Sequence, residues 1–229
     1  KTQLIINARV IDGAGQAPFD GAIAVQGNRI LSVGAEPRVR EAAGPGAEVV
    51  DVAGATVLPG LIDSHCHVTF DEPQSNDELF FHRRAGLGAL VASVNAQKVL
   101  RAGFTSLFDA DCIFDVGVDL RDAIEAGVVQ GPRMTTGGNV LINCVGGTAS
   151  RLLPDRGRRG YGMIVHTRDE IVTEIHRQIK TGVDWIKVHV SGMPIRPHGH
   201  EGEIQTWTLD ELKLVCDTAH QLGVPVVGH

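Results

Sequence analysis

Two histidines that are one residue apart are the first candidates for chemistry. They are His65 and His67, in the run LPGLIDSHCHV (58–68). Side chains at positions i and i+2 of a strand point to the same side, so both imidazoles can reach one metal ion, for which neutral imidazole is a common ligand. Asp63 shares this face one pleat deeper, where we expect a carboxylate that orients a ligand. Cys66 faces away, and we expect it to pack against a helix. Alone, the pair is a weak signal, because many strand ends carry polar residues.

A lysine inside an apolar strand is the second candidate. Lys187 lies in VDWIKVHV (183–190), where a buried lysine must lose its charge or be paired. A neutral amine can react with carbon dioxide to give a carbamate, an anion with two oxygens that suits a bridge between two cations. A structural lysine that forms a salt bridge is the alternative. His189 shares the strand face of Lys187. Three interpretations stay open for it: a substrate contact, a support for the carbamate, or a structural histidine. His229 ends the apolar run VPVVGH, and we interpret it either as a metal ligand or as a core histidine.

The elements that position these residues alternate between strand and helix from residue 58 onward. The predicted strands are 60–67, 104–110, 132–138, 183–190 and 224–229, and the predicted helices are about 76–102, 117–126, 167–182 and one from 208 to Gly223. Capping boxes at Thr167 and Thr208 begin the last two helices, and a glycine ends each of the four. This alternation requires parallel strands with right-handed crossovers. It leaves two architectures open, a doubly wound sheet and a (β/α)8 barrel.

The first 57 residues have a different pattern, with short strand-like runs. Gly27-Asn28 is a strong hairpin signal, and Ala53-Gly54 predicts another tight turn. We expect a small all-β unit there.

Composition excludes several classes of function. The net charge is -6, and there is no basic run with interleaved aromatics, so we expect no nucleic-acid partner. No apolar stretch is long enough to span a membrane, and we see no secretory signal. The four cysteines form no C-x-x-C pair, which favours reduced thiols in a cytoplasm. We expect a cytoplasmic homo-oligomer that acts on a small molecule and has no membrane association.

We expect two long segments to be loops near the site. In 139–166 we interpret Arg156, Arg158 and Arg159 as a solvated charge run. The segment around His198-Gly-His200 is rich in glycine and proline, which indicates a flexible lid more than a metal site. We interpret Trp207 either as part of a wall of the substrate site or as a packing residue.

Four segments together resemble a known family. LPGLIDSHCHV resembles the first-strand signature of the amidohydrolase superfamily of metal-dependent hydrolases, in the branch of imidazolonepropionase-like and Xaa-Pro dipeptidase-like enzymes. The second-, fourth- and fifth-strand segments of that branch are similar to AGFTSLFDA (102–110), GVDWIKVHVSGM (182–193) and LGVPVVGH (222–229).

The resemblance implies an α/β fold in which 58–229 is the N-terminal part of a (β/α)8 barrel, with its first five strands, and 1–57 is part of a β-sandwich. It implies that His65 and His67 bind one divalent metal, that carboxylated Lys187 bridges to a second, and that His229 binds the second. Zinc is expected, with cobalt, manganese or iron as alternatives. A metal-bridging hydroxide would attack a linear C–N bond in a dipeptide-like amide, carbamate or urea.

The family also uses a histidine after strand six and an aspartate after strand eight, the general acid/base. Neither can occur before His229, so we expect this chain to be the N-terminal portion of a longer protein. Two alternatives stay open: a cyclic-amide hydrolase of the hydantoinase or dihydroorotase kind, and a catalytically silent relative that serves as a scaffold.

Overall fold

The computed structural model describes residues 1–75, 78–143, 145, 160–192 and 204–229. The chain divides into two compact units, Lys1–Gly60 and Leu61–His229. The helices within the described residues are too short or too polar to span a membrane.

The first unit is a five-stranded sheet with one helix. Its elements are Thr2–Val10 (β1), Phe19–Gln26 (β2), Arg29–Gly34 (β3), Glu36–Ala43 (α1), Glu48–Asp51 (β4) and Thr56–Val57 (β5). The β2–β3 hairpin turns at Gly27-Asn28, as predicted. The turn at Ala53-Gly54 is also present, but it joins two strands that both run parallel to β1.

The expectation of an all-β unit is wrong, because α1 lies between β3 and β4. Pro37 stands in the first turn of this helix, where its missing N–H costs no hydrogen bond. Glu36 and Arg40 form an ion pair one turn apart, and Val39 is buried against Leu4. A two-turn helix with a single buried residue gives too little periodicity to be predicted.

The second unit alternates strands and helices. Its elements are Leu61–Cys66 (β6), a π-helical turn at Glu78–His82, Ala85–Arg101 (α2), Phe104–Asp109 (β7), Val116–Glu125 (α3), Arg133–Thr136 (β8), Val140–Asn143 (β9), Gly162–Val165 (β10), Arg168–Thr181 (α4), Ile186–Val188 (β11), Ser191–Gly192 (β12), Ile204–Gln205 (β13), Leu209–Gln221 (α5) and Val226–Gly228 (β14).

The strands of this unit form parallel sheets, as predicted. One sheet has the order β6-β7-β8, and another has the order β10-β9-β11-β14; β12 and β13 form a separate antiparallel pair. The chain runs directly from β8 into β9, and the Asp184 N–H, just before β11, donates to the carbonyl of Thr136 in β8 at 2.9 Å. The two parallel sheets are therefore neighbours. The carboxyl ends of their strands lie side by side, from β6 and β7 to β9, β11 and β14.

Two helix starts and all four helix-ending glycines follow the prediction. Thr167 and Thr208 each form a complete capping box, with Glu170 and Glu211 as the reciprocal partners. The glycines after the four helices have positive φ, namely Gly103, Gly127, Gly182 and Gly223.

Two boundaries differ from the prediction. The segment 139–166 is not one long loop, because β9 and β10 lie within it and bury Val140, Ile142 and Ile164. The helix predicted from residue 76 is interrupted, since Arg84 has extended backbone (φ -83, ψ 152) and α2 begins after it. Residues 76 and 77 lie outside the described residues.

Candidate functional site

The predicted metal-binding residues stand at or near the carboxyl ends of parallel strands in the second unit. His65 is the second-last residue of β6, and His67 follows the strand directly. Lys187 is the central residue of β11, His189 comes just after it, and His229 follows β14. Carboxyl ends of parallel strands are where α/β barrels place their chemistry.

The histidine rings form one cluster. The ring centroids of His65 and His67 are 5.2 Å apart, and those of His65 and His229 are 6.4 Å apart. The ring of His189 lies 5.1 Å from that of His229. The structure thus brings together residues that are more than 160 positions apart in sequence, as the spacing of the strands predicted.

Lys187 is fully buried, with an exposed fraction of 0%. Among the described residues, its Nζ has no hydrogen-bond partner. Burial lowers the pKa of Lys187, and the nearby carboxylate of Asp111 opposes this shift only in part. The salt-bridged lysine that we kept as an alternative is not found within the described residues. A neutral amine in this position is the form that can add to carbon dioxide.

Asp111 is a member of the cluster that the sequence analysis missed. Its side chain is 1% exposed, and its two oxygens approach two imidazoles: Oδ1 is 3.2 Å from Nδ1 of His67, and Oδ2 is 3.6 Å from Nε2 of His189. Burial alone raises the pKa of Asp111, but the two imidazoles outweigh it and hold that pKa well below its usual range. One signal for this residue was available, since Asp109-Ala110-Asp111 ends the predicted second strand at the rim where the histidines lie.

The pKa values of the two histidines from the first strand shift in opposite directions. Burial and the positive charge of Lys187 lower the pKa of His65, with a smaller effect from His67. Burial also lowers the pKa of His67, but its hydrogen bond and charge interaction with Asp111 more than offset this, so the net shift is upward.

Two further carboxylates support the strand ends that carry the histidines. Oδ1 of Asp63 accepts the backbone N–H of His65 at 3.0 Å, so Asp63 contacts the backbone of His65 and not its ring. Asp109 is fully buried and accepts the Val68 N–H and the Thr136 hydroxyl, both at 3.0 Å. Burial raises the pKa of Asp109 to about 7.

An aromatic wall borders the cluster. Phe70 stacks on the ring of His67, with centroids 4.7 Å apart and planes 5° from parallel. Tyr161 contacts both Phe70 and Phe80, and its ring is 6.0 Å from that of His189. This wall gives the histidine cluster one apolar side.

The lesser candidates divide into two groups. Trp207 is a packing residue: it lies in the core, and its Nε1 donates to the carbonyl of His189 at 2.6 Å, which helps to hold that histidine. Cys66 packs beside α2 as expected. The others lie outside the described residues, namely Arg156, Arg158, Arg159, His198 and His200.

The cluster offers ligands that suit a divalent metal. Imidazole nitrogens are present from three strands, and several buried polar atoms have no hydrogen-bond partner among the described residues: Nζ of Lys187, both oxygens of Asp111 and Nδ1 of His189. Buried polar atoms without a partner are rare in folded proteins unless an ion or water completes them. Within the same residues, no three His, Cys, Asp or Glu side chains already surround a common point. The residues that could hold a metal include His65, His67 and His229, with a modified Lys187.

Comparison with known proteins identifies the family. The model of the amidohydrolase family matches residues 56–229. The N-substituted formamide deformylase of Arthrobacter pascens is 48% identical over 66 residues, which are 29% of this chain and 12% of that enzyme. The imidazolonepropionase of Mesorhizobium japonicum is 39% identical over 83 residues, or 36% of this chain and 18% of that enzyme.

A solved structure covers the whole chain. A Xaa-Pro dipeptidase with methionine bound in its active site superposes with a TM-score of 0.79 and 25% identity, over 100% of this chain and 56% of that one. The chain thus spans little more than half the length of this structure and a smaller share of the two enzymes above. Of the two architectures left open by periodicity, the barrel is confirmed, here as the first five strands of a (β/α)8 fold. From the family match over most of its length, the chain belongs to the amidohydrolase family.

Proposed function

We propose that this chain carries half of the active site of a binuclear metal hydrolase that cleaves a linear C–N bond. The observation that carries the proposal is the fully buried Lys187, whose Nζ has no hydrogen-bond partner among the described residues, beside a cluster of imidazoles on neighbouring strand ends. A lysine kept only for the fold would be expected to reach a carboxylate or the surface.

In the proposed site, each residue has one role. The neutral amine of Lys187 would add to carbon dioxide: its nitrogen lone pair forms an N–C bond, one C=O π bond of carbon dioxide opens to C–O⁻, and one N–H proton passes to solvent water, which leaves a carbamate anion. His65 and His67 would hold one divalent ion, His229 would hold a second, and the carbamate of Lys187 would supply oxygen ligands to the site. When bound, such a pair of ions supplies a nucleophilic hydroxide near neutral pH and polarises a carbonyl.

The substrate class follows from the relatives and from the wall beside the site. A formamide deformylase and a Xaa-Pro dipeptidase are among the similar proteins, which favours linear amides. Phe70, Phe80 and Tyr161 give the cluster an apolar side, which suits an N-acyl or peptide-like substrate with an apolar group. The general acid/base is proposed to lie in sequence beyond His229.

The test uses the complete natural protein that contains this chain. Elemental analysis should find about two divalent ions per chain, and Lys187→Ala should lose most of the metal and most of the activity. Lys180→Ala, on an exposed turn of α4, is the matched control and should keep both. Full activity in the Lys187→Ala protein would refute the proposal.

A substrate panel decides the bond type. N-formyl amines, N-acyl amino acids and dipeptides should be hydrolysed, and hydantoin and dihydropyrimidine rings should not. Ring opening without any action on linear amides would favour the cyclic-amide alternative. Metal uptake without hydrolysis of the linear or the cyclic substrates would favour a catalytically silent relative.

A further inference from the structure

Asp111 has contacts that its place in the sequence does not explain. It lies two residues beyond the end of β7, and its side chain is buried between two imidazoles from different strands. Nδ1 of His67 is 3.2 Å from Oδ1 of Asp111 and also 3.2 Å from its backbone carbonyl oxygen. Two acceptors of one residue therefore face the same ring nitrogen.

This geometry determines which nitrogen of His67 carries the proton. A nitrogen that faces two oxygen acceptors is stabilised in its protonated form, since an unprotonated nitrogen there would be repelled by both lone pairs. The neutral ring of His67 then carries its proton on Nδ1 and leaves Nε2 as the free lone pair. Imidazoles that bind metals commonly have this arrangement, with a carboxylate or carbonyl on the second nitrogen.

The neighbouring Asp109 shows what a purely structural carboxylate looks like in this fold. Its oxygens accept a backbone N–H from Val68 and a hydroxyl from Thr136, each at 3.0 Å. By contrast, neither oxygen of Asp111 is the acceptor of a well-directed hydrogen bond within the described residues, although two imidazole nitrogens lie within ion-pair distance. Asp111 thus faces the site residues, and within the described part of the chain its side chain makes no hydrogen bond that stabilises the strands.

We infer that Asp111 is the positioning residue of this site. It fixes His67 with Nδ1 protonated and Nε2 available to a metal, and through its second oxygen it holds His189 beside His229. The inference rests on the proposed metal-dependent function, and it adds a residue from the second strand to the set that organises the site.

The test compares Asp111→Ala and Asp111→Asn with a matched control in the complete natural protein. Asp115→Ala is the control, because Asp115 forms an ion pair with Arg177 at 3.0 Å and, as far as the structure describes the chain, no hydrogen bond or ion pair with the histidines. Zinc affinity is measured by chelator competition. Asp111→Ala should weaken zinc binding by about 10–100-fold, Asp111→Asn should weaken it less because its amide oxygen can still accept the Nδ1 proton, and Asp115→Ala should not change it.

A second readout needs no metal. In chelator-treated protein labelled with ¹⁵N-histidine, the ring nitrogens of His67 should report the Nδ1–H tautomer in the wild type. In Asp111→Ala the backbone carbonyl of residue 111 still accepts the Nδ1 proton, so the population of this tautomer should fall in part. Equal zinc affinity in the Asp111→Ala and Asp115→Ala proteins, or an unchanged His67 tautomer, would overturn the inference. If the wild type itself binds no divalent metal, the proposed function fails, and the tautomer comparison alone decides whether Asp111 positions His67.

Discussion

Replacing Lys187 with methionine should separate folding stability from metal binding. Methionine keeps a straight side chain of similar length but removes the buried amine. In the native structure this amine is 0% exposed and lacks a hydrogen-bond partner among the described residues. A buried polar group without a partner costs about 1–3 kcal/mol. The charge of Asp111 offsets part of that cost, so we expect Lys187→Met to raise the free energy of unfolding of the metal-free protein by about 1–2 kcal/mol.

The assay is urea unfolding of chelator-treated protein, followed by elemental analysis after zinc is restored. The wild type should take up zinc and Lys187→Met should not, although the variant is the more stable protein without metal. Lys180→Met is the control, because Lys180 is exposed on α4, and it should change neither quantity appreciably. A Lys187→Met protein that is less stable than the wild type yet binds zinc normally would refute the reasoning.

Three other substitutions test the framework of the site. Gly137→Ala would place a Cβ 2.3 Å from the carbonyl oxygen of Ala110 and 3.2 Å from Cβ of Lys187, so thermal melting should show lower stability and elemental analysis lower zinc content. Gly86→Ala should show neither, because no atom of the described residues, apart from its chain neighbours and the backbone of α2, comes within 4 Å of the added Cβ. Asp184→Ala removes the carboxylate that pairs with an arginine of α3 at 2.7 Å; urea unfolding should show a loss of about 1–3 kcal/mol, and an unchanged midpoint would argue against this contact. Thr167→Ala removes a complete capping box and should cost about 1 kcal/mol by the same measurement, with retained stability as the contrary result.

Local signals in the sequence predicted much of the fold. The capping boxes at Thr167 and Thr208 and the hairpin at Gly27-Asn28 depend on contacts within a few residues, so they can be recognised without tertiary information. The alternation of strands and helices predicted parallel pairing, because a helix that connects two strands of one sheet brings the chain back in the same direction. The choice between a barrel and an open sheet needed the comparison with solved structures, because both have the same periodicity.

The errors arose where tertiary contacts decide the structure. Helix α1 is short and buries only Val39, so its pattern is too brief to detect. Strands β9 and β10 lie in a segment rich in glycine and arginine, and their burial depends on neighbours far away in sequence. A local pattern cannot reveal such burial.

The site was predictable from the sequence where a residue stands out from its surroundings. His65 and His67 share a strand face, and Lys187 stands out as a charge in an apolar run. Asp111 gives a weaker signal: it lies two positions after Asp109 at the end of the predicted second strand, but an aspartate after a strand is common at turns. Its role depends on two histidines 44 and 78 positions away in sequence, which only the folded chain brings within reach.

The most direct test of the central claim is an anomalous-diffraction crystal structure of the complete natural protein grown with zinc. The account predicts two anomalous peaks, one beside His65 and His67 and one beside His229, with continuous density for a carboxylated Lys187 between them. An unmodified Lys187 with no anomalous peak near these histidines would contradict it.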